Sequence, residues 1–292
     1  MIAAPQVTPE AAQPPIPGRV DAHLHVWKIG QHDYFWLKPG MSIYRDYDLD
    51  NLRPLLGDTT GTVLVQASPT AEETEFLIAV AQASRGLVRG VVGWVDLAAP
   101  AAPEAIAALA ARPAVKGVRP MLGFIEETGW ILRPEVQPAL KALARHGLRF
   151  DMPARARHLP LIPELAQRHP ALAIVIDHGA KPAIARGEFE PWARDIARVA
   201  RDTLAFCKLS GIVTEASAEW DDDELRPYVD HLLDCFGPDR LMWGSDWPVV
   251  DLAGGVTRWR EACLRLVPPE LHAAVMGETA QAFYGLQTTA GH

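Results

Sequence analysis

The chain has 292 residues, 49% of them hydrophobic and 22% charged, with a formal net charge of -8. That is an ordinary globular composition, large enough for one large core or two small ones, and it excludes collagen-like, coiled-coil and disordered classes. An acidic balance also excludes nucleic acid as the main partner, because phosphate binding needs concentrated Lys and Arg.

Residues 1–18, rich in Ala, Pro and Gln, read as a mobile tail. They lack the basic and apolar regions of a signal peptide, and no later apolar run approaches the ~20 residues of a membrane span. From residue 19 onward, short β-branched or apolar runs alternate with Ala/Leu/Arg-rich stretches of helical period, the pattern of repeated βα units. Eight strands are predicted, at 19–27 (RVDAHLHVW), 61–69, 89–97, 115–122, 147–154, 172–178 (LAIVIDH), 203–211 and 241–249 (LMWGSDWPV). The clearest helix starts at Thr70, where Thr70-Ala71-Glu72-Glu73 reads as a capping box ahead of Phe76, Leu77 and Val80. A second runs from Pro134 to His146 and stops at Gly147; others are predicted over 159–169, 190–202, 222–236 and 256–266. Eight strands with helices between them, and no Gly/Ser or Pro linker, predict one (β/α)8 barrel over 19–292 rather than a two-domain doubly wound protein. Cys207, Cys235 and Cys263 show neither CxxC spacing nor an even-numbered disulfide framework, which fits a reducing cytoplasm.

In a barrel the chemistry sits at the C-terminal strand ends, so the polar residues there are informative. Strand 1 ends with His23 and His25, whose spacing of two places both on one face of an extended chain. Strand 6 ends with His178 and strand 8 with Asp246, so three imidazoles and one carboxylate converge, a donor set suited to zinc with room for water. Asp177 reads as structural, since adjacent strand residues face opposite sides. Arg119 and Lys208 either hold an oxygen-rich substrate or neutralise Asp96, Asp151 or Asp246 as buried partners. Gln31-His32-Asp33-Tyr34-Phe35-Trp36-Leu37 lies in the long first connection, either as a lid or as a satellite hydrophobic cluster.

VDAHLHVW at 20–27, KGVRPML at 116–122, IDHGAKP at 176–182, CKLSGIVTEA at 207–216 and LMWGSDWPV at 241–249 together resemble the amidohydrolase superfamily. The resemblance runs almost end to end and is strongest to its sugar-acid lactonase branch, which hydrolyses L-fucono-, L-rhamnono- and related lactones. It implies a distorted barrel and a carboxylic ester hydrolase that opens a lactone ring with water. It also implies His23, His25, His178 and Asp246 as the active-site set, with Asp246 as general base and acid. Arg119 and Lys208 would then hold the substrate, and Trp36, Tyr34 and Trp247 would shape the walls. No lysine ends strand 5, where Phe150-Asp151-Met152 stands, and Lys208 occupies strand 7 where several relatives have histidine. A single divalent ion, zinc by preference, is therefore expected at most. A pyrone-dicarboxylate lactonase of the same branch works without metal, so metal-free catalysis stays open, as does a homo-oligomer. The rival readings are a metal-dependent decarboxylase on the same barrel and a non-catalytic sugar-acid sensor.

Overall fold

The computed structural model describes residues 18–286, so nearly all of the tail expected at 1–18 lies outside the described residues. Eight parallel strands follow one another in sequence order around a nearly closed barrel. They are β1 Arg19–Leu24, β2 Thr59–Val65, β3 Val88–Gly93, β4 Val115–Val118, β5 Arg149–Met152, β6 Ile174–Ile176, β7 Phe206–Leu209 and β8 Leu241–Trp243. The helices are α1 Leu49–Leu52, α2 Ala71–Ala83, α3 Ala102–Ala110, α4 Gln137–His146, α5 Ile162–Arg168, α6 Trp192–Asp202, α7 Asp222–Phe236, α8 Gly255–Leu266 and α9 Thr279–Tyr284. Every predicted strand is present, but most end earlier than their apolar runs. Among the described residues no helix is long and apolar enough to cross a membrane.

Local chemistry explains most boundaries. Gly147 ends α4 with φ of 67°, the left-handed conformation that glycine adopts at low cost. Thr70 caps α2 by accepting from the Glu73 N–H at 3.2 Å, as the capping motif predicts. The reciprocal half of that box does not form. The Glu73 carboxylate instead accepts from the backbone N–H groups of Ala67 and Ser68, at 3.0 and 2.8 Å, and pins the end of β2. Helix α3 has no counterpart in the sequence reading: its apolar face is written almost wholly in alanine, which leaves little periodic contrast.

Side chains alternate cleanly between two apolar clusters. Ile174 and Ile176 pack outward among the helices, whereas Val175 joins Val63, Val92 and Met242 on the inner side, together with Phe283 and Tyr284 of α9. The inner positions of β5 and β7 are Asp151 and Lys208, both fully buried. The barrel closes beyond β8, where Asp246 N–H donates to the His23 carbonyl at 2.8 Å and His25 N–H to the Trp247 carbonyl at 2.7 Å. Asp21 strengthens this seam, its Oδ1 accepting from the N–H groups of Ser245 and His23 at 2.9 and 3.1 Å.

Candidate active site

Three imidazoles and one carboxylate meet above the inner strand ends. Oδ1 of Asp246 lies 3.3 Å from His25 Nε2, 3.7 Å from His23 Nε2 and 3.9 Å from His178 Nε2. The two strand-1 histidines face each other, Nε2 to Nε2, at 3.3 Å. All four residues are buried, with exposures of 4% or less.

The local backbone that produces this convergence is unusual. His178, Gly179, Ala180 and Lys181 have φ between 53° and 61°, four successive left-handed residues. By strand alternation His178 would point outward after Ile176, and this turn swings its ring inward. Asp177 continues the inner face of Val175, opposite to the face that alternation with His178 implies, and there it takes the structural part the sequence predicts. Its Oδ2 accepts from Arg119 Nε at 2.7 Å, and its Oδ1 faces Lys208 Nζ at 3.0 Å and His23 Nδ1 at 3.5 Å. Asp246 is likewise left-handed, with φ of 58°. Gly211, at φ of 59°, leaves the space this arrangement needs: a Cβ there would stand 2.5 Å from His178 Nδ1 and 2.8 Å from Asp246 Oδ2.

Each ring is held from behind. His25 Nδ1 is 2.8 Å from the Val65 carbonyl, His178 Nδ1 is 2.9 Å from Ser210 Oγ, and His23 Nδ1 is 3.1 Å from Lys208 Nζ. Burial pushes His178 down to about 4, so its ring is neutral at physiological pH. Burial and the neighbouring Lys208 ammonium hold His23 well below its ordinary range. Burial works against ionisation of Asp246, but the rings of His178, His25 and His23 outweigh it and hold the carboxyl below the usual carboxylate range.

The donors fit a single divalent ion. A tetrahedral ion with bonds of ~2.1 Å places its ligands ~3.4 Å apart. One ligand atom from each of His23, His178 and Asp246 lies within 4.8 Å of the others, with Asp246 Oδ1 3.7 Å from His23 Nε2 and 3.9 Å from His178 Nε2; His25 is not part of this set. No carboxylated-lysine bridge can form at β5, whose inner residue is Asp151.

Around this centre the other expected residues take different places. Arg119, 8% exposed, borders the mouth and is tied to Asp177 and to the Gln66 side chain at 3.2 Å. Lys208 lies beneath the histidines with no exposed surface, paired with Asp151 at 2.5 Å, so it does not face a substrate. The buried-partner alternative describes it, with Asp177 as a second partner. A cavity of about 100 Å³ beside His178 is lined by Arg119, Met121, Phe124, Pro153, Arg155 and Lys181, among others. An adjoining hollow of about 280 Å³ shares Met121 and Phe124 and adds Phe35, Trp94 and Trp130. Neither is lined by Tyr34, Trp36 or Trp247. Tyr34 and Trp247 are buried, Trp247 edge-on to Tyr47 at 5.2 Å, and Trp36 donates to the Ala67 carbonyl at 2.7 Å. The aromatic wall is made instead by Phe35 and Phe124, edge to face at 5.0 Å. Asp21 and Glu73 also brace the site, a role no sequence signal assigns to Glu73; Asp21 is visible as an acid two residues before His23.

The amidohydrolase family model matches residues 20–286. A Burkholderia ambifaria protein named L-fucono-1,5-lactonase is 42% identical over 283 residues, spanning 94% of this chain and 97% of its own. A Burkholderia multivorans protein of the same name is 34% identical over 291 residues, spanning 92% and 96%. Among solved structures, a Burkholderia multivorans amidohydrolase with bound zinc aligns at a TM-score of 0.85 and 32% identity, covering 92% of this chain and 99% of that one. The same barrel, with its histidines and aspartate at the strand ends, and a match over nearly its whole length place this chain in the amidohydrolase family.

Proposed function

We propose that this protein is a lactonase that opens the ring ester of a sugar-acid lactone, with L-fucono-1,5-lactone and its close stereochemical relatives as the substrate class. The observation that carries the reading is the buried Asp246 carboxyl within 3.9 Å of three imidazoles, one of which, His178, lines the cavity of about 100 Å³. A pure binding site has no need of a buried proton acceptor so placed. The relatives named above point to the same chemistry.

The reaction adds water to the acyl carbon and breaks the bond between that carbon and the ring oxygen. Asp246 takes the proton from the attacking water and then delivers it to the ring oxygen, so that a hydroxyl leaves rather than an alkoxide. A divalent ion held by His23, His178 and Asp246, zinc by preference, would polarise the carbonyl as a Lewis acid. The hydrophobic rim of Phe35, Phe124 and Met121 excludes water from one side of the ring. Arg119 contributes positive charge beside His178, where carbonyl charge develops. Three free cysteines, two of them buried, suit a cytoplasmic site of action.

The product acid ionises at neutral pH, so turnover is read directly as proton release. A panel of aldono- and aldarolactones assayed with a pH indicator is expected to acidify fastest with the L-fuconolactones. Failure to acidify with any lactone refutes the proposal.

A further inference from the structure

The catalytic cavity is smaller than the substrate it serves. It holds about 100 Å³ beside His178, and the adjoining hollow of about 280 Å³ shares its Met121 and Phe124. At ~30 Å³ for a water-sized group, the cavity has room for about three such groups, fewer than a six-membered lactone ring with its carbonyl oxygen contains. A lactone whose acyl carbon lies by Asp246 and His178 therefore extends past the cavity, and the hollow is the lined continuation of it.

Three connections at the catalytic face build the hollow. Phe35 comes from the one after β1, Trp94 follows β3, and Phe124 and Trp130 follow β4. Neighbouring groups fix these walls. Arg155 Nε donates to the Gly123 carbonyl at 3.1 Å and an Arg157 Nη to the Ile125 carbonyl at 2.7 Å, one residue either side of Phe124. The backbone N–H of Trp94 donates to Thr74 Oγ1 at 2.9 Å, and the Ile131 carbonyl next to Trp130 accepts from Gln137 at 3.0 Å. Walls held in this way are preformed, so a ligand does not have to order them.

The chemistry of the walls selects the ligand. Ten of the eleven residues lining the hollow are apolar, and the exception, Asp96, has its Oδ1 on the Ala98 N–H at 3.1 Å. Sugar hydroxyls would leave water there with few partners to replace it, and a carboxylate would meet Asp96. Hydrocarbon carries neither cost. Phe124 is 52% exposed, so an apolar group laid against it removes hydrophobic surface from water. We propose that the hollow is a subsite for an apolar substituent of the lactone, an alkyl or aryl group of several carbons. Its place on the ring is the carbon next to the ring oxygen, where a 1,5-lactone of a six-carbon sugar acid carries its exocyclic carbon. The enzyme then hydrolyses alkyl-substituted δ-lactones by the same addition of water; this hydrolysis rests on the lactonase reading, whereas the binding does not.

The test uses the full-length protein and two hydrolytically inert δ-lactams, bearing methyl or butyl on the ring carbon next to nitrogen, with affinities measured by calorimetry. Three more methylenes taken wholly out of water are worth roughly 50-fold. Because the hollow is open on the side of Phe124, the butyl compound is expected to bind about 10-fold tighter than the methyl compound. It is also expected to move the indole N–H resonances of Trp94 and Trp130 in protein labelled with 15N-tryptophan. Phe124→Ala, at an exposed position, and Trp130→Ala are each expected to bring the two affinities within about 3-fold of each other. Equal affinities in the wild type, no binding of the butyl compound, or a ratio untouched by both variants overturns the proposal, as does tighter binding of a lactam with a 4-hydroxybutyl group. Turnover is read separately, by proton release from methyl- and butyl-substituted δ-lactones; the butyl compound is expected to have the higher kcat/KM by about the same factor, and equal values overturn the hydrolysis. Lactam discrimination without acidification from any lactone refutes the lactonase reading alone. Acidification from sugar lactones with equal lactam affinities refutes the apolar subsite alone.

Discussion

Asp246→Asn exchanges one carboxylate oxygen for an amide nitrogen and leaves the backbone chemistry alone. The residue sits at φ of 58°, a left-handed conformation that Asn adopts readily and that costs other L-residues ~1–2 kcal/mol. Its N–H bond to the His23 carbonyl, which helps close the barrel, is retained. Folding is therefore expected to survive, with a thermal midpoint within a few degrees of wild type. What is lost is the proton acceptor that lies 3.3 to 3.9 Å from three rings. A positioned general base and acid contributes ~100- to 10,000-fold, or about 2.7 to 5.4 kcal/mol of barrier. We expect kcat to fall at least 100-fold, measured by proton release from the best lactone of the panel, while the circular dichroism melt stays in place. Because Asp246 is held below the ordinary carboxylate range and His178 is pushed to about 4, wild-type kcat/KM should keep its plateau well below the pH at which an ordinary histidine protonates. A folded Asp246→Asn enzyme with turnover within 10-fold of wild type refutes the assignment of Asp246 as proton carrier. An acid limb falling near 6.5 contradicts the neutral, buried state of His178.

Gly211→Ala places a methyl 2.5 Å from His178 Nδ1 on a left-handed residue; we expect a loss of about 1–3 kcal/mol in urea unfolding together with a large fall in kcat, and an unperturbed enzyme would contradict the packing described. The Glu73 carboxyl, raised by burial from an ordinary 4.5 to about 8, binds a proton in the folded state over a window where the unfolded chain has released it. Stability is therefore greater at the acid end of that window and falls as pH rises through about 8. Glu73→Gln keeps an acceptor for the Ala67 and Ser68 N–H groups, so its melting temperature should lose that decline between about pH 5 and 8; parallel curves for the two proteins would exclude the effect.

Much of the site was legible because its signals are local. The HxH spacing of His23 and His25, the short apolar runs and the punctuation at Thr70 and Gly147 depend only on residues within a few positions, where backbone period and steric preference act directly. The placement of His178 and Asp246 at strand ends was readable for the same reason. What could not be read is the direction of their side chains. The strand period assigns Asp177 and His178 to opposite faces, and the left-handed run from His178 to Lys181 overrides it. That run is held in place by surroundings that are distant in sequence, such as Ser210 behind the ring and Gly211 beside it.

The sequence by itself determined the alternating barrel, the order of its strands and the identity of the four residues that converge at its mouth, because periodicity, turn chemistry and residue type are properties of short segments. Only the tertiary structure decided what Lys208 and Arg119 do. Both are cations near strand ends, indistinguishable as substrate holders until the barrel closes. Closure buries Lys208 completely between Asp151, Asp177 and His23, separated from it by 57, 31 and 185 positions, while Arg119 stays at the rim. A charge acts according to the groups within a few ångströms of it, and those distances are set by the fold as a whole.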